Sequence, residues 1–181
     1  WFYEGAGIYR HVWLHKHDQL HHASGGLFVR TETEDGISRV SIDNKIINQC
    51  HDSRDLTVQH IITDRDGRVI SRGKEHEMTV ESYEERELND EMHIDDARLW
   101  SLEDPYLYRI RSEIRSGGRL IDRITVRFGI RDIKIDPARG LFLNGRHVKI
   151  YGVNCHQDHA GVGSALPDYV QYYRIRLLKE M

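Results

Sequence analysis

Four turn signals constrain this chain more than anything else in it. Glu34-Asp35-Gly36, Asp64-Arg65-Asp66-Gly67, Ser116-Gly117-Gly118 and Asn144-Gly145 each fall between runs in which apolar and polar residues alternate. Asp-Gly and Asn-Gly favour tight hairpins, because both central residues of such a turn need positive φ. The runs themselves have the period of two that places alternate side chains on one face of a strand. Residues 27–31 and 37–42 form the arms of the first hairpin. Leu56, Val58 and His60 then share a face opposite Thr57, Gln59 and Ile61, and the chain returns through Val69 and Ile70. Residues 107–114, 120–128, 133–135 and 141–150 continue the pattern. The stretch 81–87 carries few apolar anchors and reads as a wet strand or an edge connection. Residues 8–17 also alternate, with Ile8, Val12 and Leu14 opposite Tyr9, His11, Trp13, His15 and His17.

About eight or nine short strands at this spacing argue for an all-β protein, an immunoglobulin-like β-sandwich. The sandwich is expected over residues 22–136, with Trp100 and Leu107 in its core. Pro105 fixes a bend there and holds Asp104 extended. The Cys…Trp…Cys framework of antibody domains is absent.

A chain of 181 residues supports one domain with pieces of its neighbours. Its net charge of −3 offers no basic surface for nucleic acid or for an anionic membrane. No apolar run reaches transmembrane length. The chain opens on Trp1-Phe2-Tyr3 without a basic leader and closes on Lys179-Glu180-Met181 inside a helical pattern. The expectation is a segment of a longer protein. Cys50 and Cys155 are far apart and neither lies in a CxxC pair, so no zinc or redox motif is read. His15 and His17 point the same way on a strand, but no carboxylate or thiol completes a ligand set, and Asp18 faces the other side. They read as a polar strand face, and no metal or cofactor is expected.

One stretch stands apart from the hairpins. Lys149, Ile150, Tyr151 and Val153 read as a strand, and Asn154, His156, Asp158 and His159 crowd in directly behind it. Strand ends that lead into a polar loop are where layered and barrel folds place binding groups. The same residue types also form ordinary turns. After Ala160, Pro167 suits the first turn of a helix and Asp168 complements its positive end. Val170, Tyr173, Leu177, Leu178 and Met181 then fall at helical spacing. A strand, a polar loop and a helix after an all-β domain form the first βα unit of another domain.

Several of these segments resemble one family in the same order. Gly5-x-Gly7-Ile8-Tyr9-Arg10-x-Val12-x-Leu14 is similar to the end of the sugar-binding jelly roll of glycoside hydrolase family 2. Leu99-Trp100-Ser101 with Pro105-Tyr106-Leu107-Tyr108, and Gly129-Ile130-Arg131, resemble segments of its immunoglobulin-like second domain. Phe142-Leu143-Asn144-Gly145 and Gly152-Val153-Asn154-Cys155-His156-Gln157-Asp158 resemble the approach to its catalytic TIM barrel. Cys155 stands where an Arg is common and Gln157 where a Glu is common. These departures shift the likeness towards bacterial branches with varied substrates and leave the sugar open.

The resemblance implies three parts: residues 1–20 ending the jelly roll, 21–136 forming the sandwich, and 137–181 starting the barrel. It implies a parent that cleaves terminal β-glycosides with retention, as a β-galactosidase, β-glucuronidase or β-mannosidase does. Its partner would be a terminal β-linked sugar. The family's two catalytic Glu residues lie on later barrel strands, so no catalytic residue is expected here. Glu84, Glu85 and Glu87 sit in a charged run and do not replace them. His156 and Asp158 would face the sugar, with Asn154 bracing the strand end and His159 alongside. Homo-oligomerisation stays open, and bacterial periplasm and cytoplasm both fit. The alternative reading is a free-standing carbohydrate-binding or adhesion module, which exposed aromatics on one sheet face would favour.

Overall fold

The structure, a computed structural model, describes residues 7–181. Trp1-Phe2-Tyr3 and Gly5 of the opening motif lie outside the described residues. The chain forms two compact units, one of Lys16–Lys149 and one of Trp1–His15 with Ile150–Met181.

The larger unit contains ten strands among the described residues: β1 Leu20–Glu34, β2 Ile37–Asn48, β3 Arg54–Thr63, β4 Val69–Val80, β5 Glu85–Asp95, β6 Tyr108–Ser116, β7 Arg119–Phe128, β8 Ile133–Asp136, β9 Gly140–Leu143 and β10 Arg146–Val148. The first seven make a sandwich. One sheet runs β1-β2-β5 and the other β4-β3-β6-β7, with every pairing antiparallel. This is the expected immunoglobulin-like sandwich. Strands β8, β9 and β10 form a small third sheet. The hairpins turn where the sequence places them: Asp35 and Gly36, Gly117 and Gly118, and Asn144 and Gly145 all have positive φ. Strand β5 takes up the end of the charged stretch and lies at a sheet edge, where polar side chains resist unwanted pairing.

The core consists of two apolar clusters. Val40, Ile42, Ile62, Met92, Tyr106, Tyr108, Ile110 and Phe128 belong to the larger one. Leu20, Ile46, Leu56, Val58, Val80 and Ile114 form the smaller. Between them runs a polar belt with one residue from each of the seven strands: His22, Asn44, His60, His76, Asp90, Ser112 and Asp122. The belt has a direction that follows from its donors. The Asn44 amide donates to His60 Nε2 at 3.3 Å and to Ser112 Oγ at 3.0 Å. The Ser112 hydroxyl donates to His22 Nε2 at 2.9 Å. Each imidazole then donates from Nδ1 at 2.8 Å, His60 to Asp90 and His22 to Asp122. Both rings are therefore neutral with the proton on Nδ1. Burial pushes both imidazoles below their ordinary pKa and outweighs the lift from the facing carboxylates. Burial alone would raise Asp122, but hydrogen bonds from the His22 backbone and ring hold it below the usual carboxylate range. A buried polar chain of this kind is stable only because nearly every member is satisfied.

On the outer face, Glu113 lies beneath three guanidinium groups. Arg111 reaches it at 3.1 Å, Arg115 at 2.9 Å and Arg123 at 3.1 Å. Burial would raise its pKa, but these cations lower it further than burial lifts it.

Three expectations need correction. Trp100 and Leu107 are half-buried, and Tyr106, Tyr108 and Phe128 fill the core in their place. Trp100 instead packs closely over Gly129, where an added Cβ would lie 3.2 Å from the indole, and beneath the Arg131 guanidinium. Its carbonyl accepts from the Asn144 amide at 3.0 Å, which ties the small sheet to the sandwich. Residues 8–17 form no strand. Ile8, Val12, Trp13 and Leu14 are exposed, and alternation without a pairing partner does not make a ladder. Residues 149–153 also lack strand pairing. A barrel strand takes its ladder bonds from neighbouring strands, and no ladder among the described residues includes 149–153.

Candidate functional site

The polar cluster behind Val153 belongs to the smaller unit. Residues 150–157 follow an irregular course, and a tight turn closes at residues 159–163. The His159 amide donates to the Gly163 carbonyl at 3.0 Å, and the Gly163 amide donates back at 2.9 Å. Helix α1, Asp168–Glu180, follows. Pro167 precedes it with an extended backbone, and Asp168 places its charge in the first turn. His11 meets Asp168 at 3.2 Å, an exposed pair of small energetic weight.

One side chain organises the loop. From the second turn of α1, Arg174 donates to the carbonyl of His156 at 3.1 Å and to that of Asp158 at 2.6 Å. Its other contact is His159 Nδ1 at 3.2 Å, which must accept, so His159 carries its proton on Nε2. The guanidinium thus gathers three of the last four residues of the cluster. Asn154, His156 and His159 are exposed, and Asp158 is half-buried. The four side chains offer a sugar hydroxyl both acceptors and donors: an amide, two imidazoles and a carboxylate.

Arg174 was not among the residues expected from sequence, yet a signal for it exists. It follows Val170 by four positions and precedes Leu177 by three, so it interrupts the apolar stripe of α1. A charge on such a stripe points to a partner. The stripe itself remains open: Tyr173, Leu177 and Leu178 are exposed. Elsewhere, His17 stacks on His21 with ring centroids 3.5 Å apart, and its Nδ1 lies 3.0 Å from the Asp18 carbonyl.

The sequence profile described as glycosyl hydrolases family 2 matches residues 22–131, which is the sandwich almost strand for strand. The chain belongs to that family. Among its family 2 relatives is a β-galactosidase of Bacteroides ovatus, 30% identical over 181 residues that cover 99% of this chain and 21% of that protein. A β-glucuronidase of Formosa agariphila is 26% identical, covering 99% of this chain and 19% of its own length. The family 2 chain thus spans about a fifth of the curated relatives it matches. In solved structures it is similar to a family 2 glycosyl hydrolase of Bacteroides cellulosilyticus, with a TM-score of 0.89 at 28% identity over 98% of this chain and 23% of that one. It is also similar to β-glucuronidase 2 of Bacteroides uniformis covalently bound to cyclophellitol-6-carboxylate aziridine. There the TM-score is 0.82 at 26% identity, over 90% of this chain and 20% of that one.

Proposed function

We propose that this chain is the immunoglobulin-like linking domain and the start of the catalytic barrel of a retaining glycosidase acting on terminal β-glycosides. The observation that carries the proposal is the span of the likeness. Nearly the whole chain aligns with relatives named β-galactosidase and β-glucuronidase, but with only about a fifth of each. In this reading residues up to about 20 end a jelly roll, residues 21–136 space it from the barrel, and residues from 137 enter the barrel. Retaining hydrolysis needs two carboxylates roughly 5 Å apart across the scissile bond. The proposal assigns that pair to barrel strands outside this stretch and gives this stretch a binding role.

That role falls to the loop held by Arg174. His156 and Asp158 would contact the terminal sugar, with Asn154 and His159 beside them. Fixing both main-chain carbonyls on one guanidinium preorganises the loop before substrate arrives. Hydrogen bonds from such groups speed the reaction when they tighten on the oxocarbenium-like transition state. Against the reading as an adhesion module, the sandwich unit exposes two aromatic side chains among its described residues, and they do not share a platform. Phe28 lies on β1 and Tyr83 lies between β4 and β5.

The test is Asp158→Ala in the full-length enzyme. A loss in kcat/KM of about tenfold or more with unchanged melting temperature is expected. Unchanged kinetics in a folded variant would return the loop to a structural role.

A further inference from the structure

We propose that His60, His76 and Asp90 form a divalent transition-metal site, with zinc its best-fitting ion, which joins the two sheets of the sandwich. The proposal is independent of the sugar-binding reading. Among the described residues this is the one group of three histidine, cysteine or carboxylate side chains whose ligand atoms all lie within 4.8 Å of one another. His60 Nδ1 stands 2.8 Å from Asp90 Oδ2, and His76 Nε2 stands 3.0 Å from Asp90 Oδ1. Ligand atoms about 2 Å from a tetrahedral zinc are roughly 3.3 Å from one another, so the His60–Asp90 separation is about 0.5 Å and the His76–Asp90 separation about 0.3 Å below the edge of a metal polyhedron, and the third edge closes onto the ion from within 4.8 Å.

One buried atom points to the ion. His76 Nε2 is close to Asp90 but has no hydrogen-bond partner. An ion takes His76 Nε2 directly. It also takes His60 Nδ1, which moves that ring's proton to Nε2. Asn44 then turns its amide over at the expense of its bond to Ser112, and Oδ1 accepts the new N–H. That is the outer hydrogen bond that metal-bound histidines ordinarily make. Two imidazoles and one carboxylate suit zinc, and they disfavour calcium and magnesium, which prefer oxygen ligands alone.

The position fits the role. His76 lies on β4, at the edge of the four-stranded sheet, and Asp90 lies on β5, at the edge of the three-stranded one. No backbone ladder joins those two edges. An ion there closes the open side of the sandwich with three metal bonds. An open cavity of about 720 Å³, lined in part by Asp43, Arg72, His76 and Asp90, gives access from solvent and leaves room for a water as fourth ligand.

The test uses the full chain, stripped by chelator and titrated with zinc or cobalt. One equivalent of zinc should bind, the melting temperature should rise with zinc concentration, and cobalt should give the intense visible bands of a four-coordinate site. His76→Ala, at a partly exposed position, should fold and lose about a hundredfold or more in affinity, with the cobalt bands gone. His17→Ala should change neither. X-ray absorption of the zinc-loaded chain should count two imidazoles, which tests the site even if a variant fails to fold. An absence of saturable binding, a spectrum unchanged in folded His76→Ala, or a ligand count without two imidazoles would each overturn the proposal.

Discussion

The sandwich and the segment from Ile150 onward contain similar local signals but reach different states. In the sandwich, β3 pairs with β4 on one side and β6 on the other, and Ile61, Ile62 and Ile110 are essentially excluded from water. In the segment, Ile150, Tyr151 and Val153 make an equally apolar run, but they stay exposed and outside any strand ladder. Helix α1 shows the same contrast, with an apolar stripe and no buried residue. Propensity nominates an element, while partners provide its ladder bonds and cover its apolar face. Where partners are present the elements form a core. In the loop, one guanidinium and one tight turn hold the main chain without a ladder.

This contrast can be broken at matched positions. Ile110→Ala should destabilise the chain by about 2–5 kcal/mol, because the cavity opens in the middle of the larger cluster. Leu177→Ala, an equally apolar truncation on α1, should cost less than about 0.5 kcal/mol. Urea melts of the two variants measure both. Equal losses would mean that α1 is buried in solution.

A pH series sharpens the comparison, because the titrating groups with large burial lie in the sandwich. His22 has a folded pKa below its ordinary value, so the unfolded chain binds its proton first. The stability it contributes is present above about pH 6.5 and falls as the solution is acidified. Asp122 and Glu113 are also depressed in the folded state, so they extend the loss below about pH 4 as they protonate. Denaturation in chelator between pH 8 and pH 3 should show stability declining on acidification in these two stages. His22→Gln should shrink the upper one and leave the share that His60 contributes. A stability that rises towards pH 5 would contradict neutral, buried imidazoles.

The smallest global effect belongs to Arg174→Met. It removes the clamp on the His156 and Asp158 carbonyls, and the melting temperature of the sandwich should not move. Hydrogen exchange at the His159 and Gly163 amides should accelerate, while the amides of β3 keep their protection. Unchanged exchange at residues 159–163 would show that the turn holds itself.

Much of the fold was legible because it depends on short-range chemistry. Asp35-Gly36, Gly117-Gly118 and Asn144-Gly145 take positive φ at both residues and Asp66-Gly67 at the glycine alone, and a period of two assigns Val58 and His60 to one face without knowledge of what lies opposite. The helix start at Pro167 and Asp168 is local in the same sense. Tertiary structure decided whatever depends on a distant neighbour. Trp100 lost the core to Tyr106 and Tyr108 because burial depends on which strand faces which, not on side-chain size. Residues 8–17 and 149–153 alternate or run apolar as strands do, but hydrogen bonds need a second strand. His60 could be read as a histidine on a core face. Its union with Asn44, Ser112 and His22 on one side and Asp90 and His76 on the other could not, because the belt takes one residue from each of seven strands and only the packing of the two sheets brings them into line.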